Sequence, residues 1–566
     1  MKTFGNGSRW IWLLSFGFLT LGGPPLLQAQ RLQSTQHNLS SSGPGPVKAL
    51  TESRLCIFCH TPHRASSQIP LWNRTDAATN YLVYNSPTLI STPGQPTGSS
   101  RLCLSCHDGT IALGDLVSEP QQIQFQGGTV FLPPGHSLIG TDLSDDHPVS
   151  FVYDANLAAQ NPELVMPSQL PPTLPLDHTG MLQCATCHDA HRDDYGSFLR
   201  EPTVYSQLCV GCHQKDGWGA SVHANSTAGW NGSGIDPWPH AAHLTTAENA
   251  CQNCHQPHEA AGGALLLPSQ QEENVCLVCH NGNVGTDIDG TLTAASTHPV
   301  ANTTGVHQAG ENPTTMSRHV ECVDCHNPHA ANTGSPPPPG LNGALSFVDG
   351  VSIDGNLLPA AASEMEICFK CHGDQHGNLS LVTRQINNLN TRQEFNPASM
   401  SFHPVATSGK NPDVPSLIPP LVESSMISCS DCHGNDGGQP AGPHGSQYRP
   451  LLKLNYSTLD NTNESPQAYA LCYSCHDRNS ILGDVSFGEH RKHVLKENVP
   501  CSACHDPHGI GAAQGTALNN SHLINFDTSL VSPDQNTGRM EFVDLGNRHG
   551  ECYLTCHGER HSPESY

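Results

Sequence analysis

The chain has 566 residues, of which only 36% are apolar and 6% aromatic, against 52 Gly and 45 Pro, so an ordinary hydrophobic core would be thin for this length. The formal charge of −25 argues against nucleic acid as a partner; it is compatible with basic proteins, cationic metal species and positively charged oxide surfaces, or with solubility alone. What composition leaves unexplained is an excess of 24 Cys and 35 His.

Residues 1–29 read as a secretory signal. Lys2 and Arg9 give a positive start, Trp10 to Leu21 an apolar run too short to span a bilayer comfortably, and Ala29 a small residue at a plausible cleavage point. An uncleaved anchor is the alternative. No cysteine stands at that point to take a lipid, and no later stretch has the roughly 18 apolar residues of a membrane helix. An exported protein without a later membrane span is expected.

Along the rest of the chain the cysteines fall into C-x-x-C-H motifs beginning at Cys56, Cys103, Cys184, Cys209, Cys251, Cys276, Cys322, Cys368, Cys429, Cys472 and Cys501, and closing at Cys59, Cys106, Cys187, Cys212, Cys254, Cys279, Cys325, Cys371, Cys432, Cys475 and Cys504. A twelfth site, Cys552 to Cys556, has three residues between its cysteines and uses the last two thiols. Two thiols at this spacing add to the two vinyl groups of one porphyrin, and the following histidine ligates its iron. These ligands are His60, His107, His188, His213, His255, His280, His326, His372, His433, His476, His505 and His557. Zinc clusters explain cysteine pairs, and a disulfide scaffold an even cysteine count, but neither explains a histidine after every second cysteine. The expected cofactor is haem c, twelve copies, covalently attached outside the cytoplasm.

The motifs form six pairs, an internal repeat. The first motif of a pair carries a second histidine shortly after it: His63, His191, His258, His329 and His508 in C-x-x-C-H-x-P-H or its Ala variant, whereas the fifth pair departs and has His444 in Gly-Pro-His-Gly. Ahead of each pair stands another: His37, His147 in Asp-His-Pro-Val, His240 with His243, His298, His403, and His490 with His493. One leading and one trailing histidine per pair supplies a second axial ligand for every iron. The expected distal set is His37, His63, His147, His191, His240, His258, His298, His329, His403, His444, His493 and His508, with His223, His243, His490, His549 and His561 in reserve. Methionine cannot fill most of these positions, because of the eight Met one lies in the leader and the other seven do not recur with the repeat. Bis-histidine ligation keeps potentials low, since Met ligation raises them.

Between motifs, Pro-rich runs at 161–175, 335–340 and 411–420 break any long helix, and no sustained alternation marks a large sheet. The predicted fold is a multihaem cytochrome c: mostly coil, with short α-helices at the motifs wrapped around a stacked haem chain and little β-structure. The predicted divisions are 30–220 for pairs one and two, 221–335 for pair three and the start of pair four, 336–480 for the rest of pair four and pair five, and 481–566 for pair six. With haem as its core, the apo chain is expected to be unfolded.

The paired motifs with x-Pro-His tails, the His-Asn-Leu-Ser around His37 and the Asp-His-Pro-Val around His147 resemble the multihaem c-type cytochromes of bacteria that respire metals and other extracellular acceptors. That group includes periplasmic carriers, outer-surface cytochromes and subunits of extracellular cytochrome filaments. The resemblance implies outer-sphere electron transfer along stacked bis-histidine haems to redox proteins or extracellular metal and oxide acceptors, from a periplasmic, outer-surface or extracellular location. It also allows a homopolymer, with His37 ligating a haem of the next subunit. The alternatives are a reductase of nitrite, hydroxylamine or a sulfur oxyanion, which needs an open iron although no C-x-x-C-K motif occurs, and an adhesive surface protein stapled by its haems.

Overall fold

The computed structural model describes residues 32–66, 71–76, 80–239, 243–302, 307, 310–317, 319–374, 381–388, 390–513, 515–516 and 519–566. The leader therefore lies outside the described residues, as do His240 and His376. Among the described residues no helix is long and apolar enough to cross a membrane.

Most of the chain is neither helix nor sheet. Among the described residues the longest helix, Gly98–His107, has 10 residues and carries the Cys103 motif. The other motifs with two intervening residues need only one turn. The backbone N–H of the motif histidine donates to the carbonyl of the first cysteine at 2.8 to 3.0 Å, as in His60 to Cys56, His255 to Cys251 and His505 to Cys501. That bond is the helical i to i+4 step, which puts both sulfurs and the imidazole on one face.

Apolar packing is divided among small clusters. Ile57, Phe58, Leu113, Leu116 and Phe125 pack with Cys59 and Cys106; Val351, Phe369, Phe395, Phe402 and Val405 pack with Cys429; Ala468, Tyr469 and Val494 pack with Cys501. In each of these three, motif cysteines are among the partly buried residues packed against the cluster.

Two arginines close the ends of the repeat. Arg74, fully buried, donates to the carbonyls of Ser105, Ala112 and Leu113 in the first pair, and Arg384 donates to those of Ser502, Asn525 and His505 in the last.

Short ladders join one pair to the next. Ser401–Phe402 pairs antiparallel with Gly509–Ile510, and Ser296–Thr297 with Gly445–Ser446. The first ladder lies just before His403 and just after His508, the second just before His298 and just after His444, so each sets a leading histidine beside the following pair's trailing one. Glycine is required at both. A Cβ on Gly509 would lie 2.7 Å from the Glu394 carbonyl oxygen at a φ of +153°, and one on Gly445 would lie 1.9 Å from that of Thr291.

One sheet is larger than the sequence led us to expect. At the C-terminus, strands β1 (Val531–Ser532), β2 (Glu541–Gly546), β3 (His549–Cys556) and β4 (Glu559–Ser565) form an antiparallel sheet in the order β1-β3-β2, with β4 also on β3. Its hairpin turn at Asn547 and Arg548 has positive φ at both residues.

Candidate functional site

Two imidazoles bound through Nε2 on opposite sides of one metal ion would have ring centres about 6.3 Å apart, from two metal–nitrogen bonds of about 2.0–2.1 Å and two half-rings. The described histidines meet at this spacing repeatedly. Trailing histidines reach back to the first motif of the preceding pair: His191 faces His60 at 6.2 Å, His258 faces His188 at 6.2 Å, His329 faces His255 at 6.2 Å, His444 faces His326 at 6.1 Å, and His508 faces His433 at 6.1 Å. Leading histidines face the second motif of their own pair: His37 with His107 at 6.1 Å, His147 with His213 at 6.3 Å, His298 with His372 at 6.2 Å, and His403 with His476 at 6.4 Å.

Three expected positions come out differently, and a fourth, His240, lies outside the described residues. His280 is faced by His223, a reserve residue, at 6.3 Å. His63 is exposed, and among the described residues no motif histidine faces it. The reason is topological: a trailing histidine serves the pair before its own, and the first pair has none before it. In the last pair, which has no later tail to serve it, His490 faces His505 at 6.2 Å and His493 faces His561 at 6.4 Å. The H-x-x-H of this pair thus supplies both rings. His557 instead sets its Nε2 3.0 and 3.1 Å from the two carboxylate oxygens of Asp460. Cys552 and Cys556 lie along strand β3, where four residues of extension separate them by about 13 Å at ~3.3 Å per residue. The extra residue has replaced the helical turn of the other motifs with a strand. His243 lies 3.4 Å from the Thr203 hydroxyl, and His549 Nδ1 is 2.8 Å from the Tyr566 carbonyl oxygen.

The rings are held from behind. His37 Nδ1 is 3.0 Å from the carbonyl oxygen of Ala190, His223 2.8 Å from that of Pro328, His298 2.8 Å from that of Pro443, and His403 2.5 Å from that of Pro507. Each acceptor immediately precedes the next pair's trailing histidine. In the second pair the same junction is made by the His147 backbone N–H, which donates to the Pro257 carbonyl at 2.8 Å. The x-Pro-His tail therefore orients the preceding leading ring through its carbonyl and offers its own imidazole alongside. Motif rings are fixed similarly, His107 by Ser137, His188 by Ser197 and His255 by Leu265. With Nδ1 committed, Nε2 is the free nitrogen, the usual arrangement of metal-binding histidines.

Electrostatics agree with metal ligation. Burial pushes the imidazoles of His213, His433, His444, His476, His490 and His505 down to about 4, and that of His329 to about 3. Such rings are neutral near pH 7 and offer a lone pair to a metal. His258 and His508 are the exceptions. Burial lowers them too, but the hydrogen bond and charge of Asp146 and of Glu394 outweigh it and raise them.

The thiols also follow an order. Within a pair the second cysteines lie within electrostatic range of each other, Cys59 of Cys106, Cys187 of Cys212, Cys254 of Cys279, Cys325 of Cys371, Cys432 of Cys475 and Cys504 of Cys556, while Cys325 is also within range of Cys368 and Cys504 of Cys552. Between pairs the first cysteines adjoin, Cys103 with Cys184, Cys209 with Cys251, Cys276 with Cys322, Cys368 with Cys429 and Cys472 with Cys501. Glu364 joins one of these contacts, its carboxylate within 4.8 Å of the sulfurs of Cys368 and Cys429. Both sulfurs belong to porphyrin-binding motifs, and Glu364 accepts from the Ser430 N–H and hydroxyl at 2.6 and 2.7 Å, so it ties pair four to pair five. Paired thiols beside paired imidazoles fit haem c. Bound there, the group supplies one-electron chemistry at iron, and the chain supplies tethers, axial nitrogens and spacing.

Comparison with known proteins gives the same answer. Residues 354–517 match the family model described as outer membrane cytochrome MtrC/MtrF-like, domains II/IV, and residues 177–281 match the cytochrome c3 model. Each window spans four of the motifs, from Cys368 to Cys501 and from Cys184 to Cys276. The chain is also 24% identical over 207 residues to the multiheme cytochrome MtrA of Shewanella baltica (strain OS185), an alignment covering 35% of this chain and 44% of that relative. The repeated motifs, the coil-rich wrapping and these matches make the chain a multihaem c-type cytochrome.

Proposed function

We propose that the protein is an exported dodecahaem conduit, passing electrons by outer-sphere transfer along one line of bis-histidine haems toward an extracellular metal, oxide or protein acceptor. The single observation that carries this reading is the pairing of imidazoles: in eleven places a motif histidine and a histidine from another segment stand with ring centres 6.1 to 6.4 Å apart. The first cysteines of neighbouring pairs also lie within hydrogen-bonding reach of each other, so one motif stands beside the next across each pair boundary. The ring pairs support a second imidazole on eleven irons of the C-x-x-C-H type. His493 and His561 are our candidates for the twelfth.

The same geometry weighs against the reductase alternative, which needs an iron with an open face. It also weighs against His37 as a link to another subunit, since its ring already faces His107 of its own chain. Export is supported by the leader composition and by the names of the matching outer-membrane family. The test is magnetic and optical spectroscopy of the haem-loaded protein with its intact mass. A mass corresponding to twelve haems and a wholly low-spin spectrum are expected. A high-spin haem that binds carbon monoxide when reduced would return the reductase reading to first place.

A further inference from the structure

Axial rings in this protein differ in what stands behind them. Most present Nδ1 to a backbone carbonyl. Two present it to a buried carboxylate: His258 Nδ1 is 2.8 Å from Asp146 Oδ1, and His508 Nδ1 is 3.4 Å from Glu394 Oε2. Asp146 is 5% exposed and Glu394 6%, so water screens neither charge effectively. At the other extreme His444 Nδ1 is buried with no hydrogen-bond acceptor among the described residues.

Asp146 also accounts for a sequence feature that ligation alone leaves idle. It is the Asp of Asp-His-Pro-Val around His147, where the corresponding residues of the other two His-Pro-Val segments are Thr297 and Phe402. Two backbone bonds place it behind the trailing ring of the following pair: the Ala260 N–H donates to the neighbouring Asp145 carbonyl at 3.0 Å, and the His147 N–H to that of Pro257 at 2.8 Å. At the fifth pair, where Phe402 holds that place, the carboxylate comes from Glu394, brought in by the helix Thr391–Glu394.

We infer that Asp146 and Glu394 are potential-setting residues that make the haems on His188/His258 and His433/His508 the low-potential positions of the chain. A carboxylate behind an axial imidazole draws its Nδ1 proton and makes Nε2 a stronger donor, and a nearby buried negative charge adds to the effect. Both stabilise ferric over ferrous iron, so the potential falls. The haem on His326/His444, whose ring has no such partner, stands above them. An electron moving along the line then climbs at two places, one in the second pair and one in the fifth. The inference rests on the ligand reading above.

The experiment is a spectroelectrochemical titration of the full haem-loaded protein carrying Asp146→Asn, Glu394→Gln or both. Each change keeps the shape and an acceptor atom while removing the charge. In each single variant one haem's share of the absorbance change should leave the low end of the curve and move to higher potential, with two shares moving in the double variant and the spectrum staying low-spin. A curve superimposed on the parent's, with all haems low-spin, overturns the inference. So does a variant in which one haem becomes high-spin, because the carboxylate would then be holding the ring in place instead of tuning it. His258→Ala separates the two levels of argument: loss of one low-spin haem supports the ligand reading whatever the Asp146 variant does, and an unchanged spin count removes that reading itself.

Discussion

His63 and His191 stand at the same place in their motifs and both are exposed, yet among the described residues only His191 faces a motif histidine, His60. Their substitution should therefore have opposite outcomes. His191→Ala opens one iron, giving one high-spin haem and binding of one carbon monoxide per reduced molecule; His63→Ala leaves the spectrum unchanged. The last motif offers a second contrast, because His561 meets His493 while His557 rests on Asp460. We expect His561→Ala to cost one low-spin haem and His557→Ala to cost none, read by electron paramagnetic resonance of the oxidised protein. The reverse result would show that Cys552 to His557 re-forms the turn found in the other eleven motifs once porphyrin is attached. Sequence reasoning named His223, His490 and His561 only as reserves. The signal available for His490 was the H-x-x-H itself: two histidines before a pair that no later tail follows.

At the scale of an element, the junction between pairs is the repeating unit of construction. A leading segment and the next pair's tail meet, antiparallel where a ladder joins them, and set two imidazoles side by side, one facing each motif histidine of the earlier pair. Gly509 sits where the strands approach most closely, at a φ open chiefly to glycine. Gly509→Val is expected to destabilise the junction by more than about 1 kcal/mol. Because His403 and His508 both depend on it, the irons of His476 and His433 should lose their distal ligands together, measured as two added carbon monoxide sites and a lowered thermal midpoint. The next residue, Ile510, is fully buried and paired with Ser401, so the strand cannot shift outward to make room for the added side chain. The motif turns were legible from spacing alone, because two cysteines three apart and a histidine one further fit a single helical turn. The C-terminal sheet was not: Glu541 to Ser565 shows no clean alternation of apolar and polar residues, and its strands are specified by the hairpin at Asn547 and Arg548 and by apolar contacts with Phe526 and Ile524.

For the whole molecule, the divided apolar clusters predict that the apo chain does not fold. Protein made without haem attachment should lack defined near-ultraviolet circular dichroism and be cleaved by protease along its whole length, while the haem-loaded form is cut only at a few loops. Native-like protection of the apo chain would show that the clusters suffice as a core. By itself the sequence determined the kind of cofactor and nominated its tethers and one ligand at each C-x-x-C-H site, because covalent attachment and proximal ligation are local and need only a fixed spacing along the backbone. It also marked most of the histidines that meet the motif histidines, through a repeat that recurs pair by pair. Which of those histidines meets which motif, why His63 is left over, and which carboxylates stand behind His258 and His508 were decided only by the tertiary structure. These are contacts between segments as far apart as Asp146 and His258, or His298 and Pro443, and no periodicity within either segment encodes the distance between them.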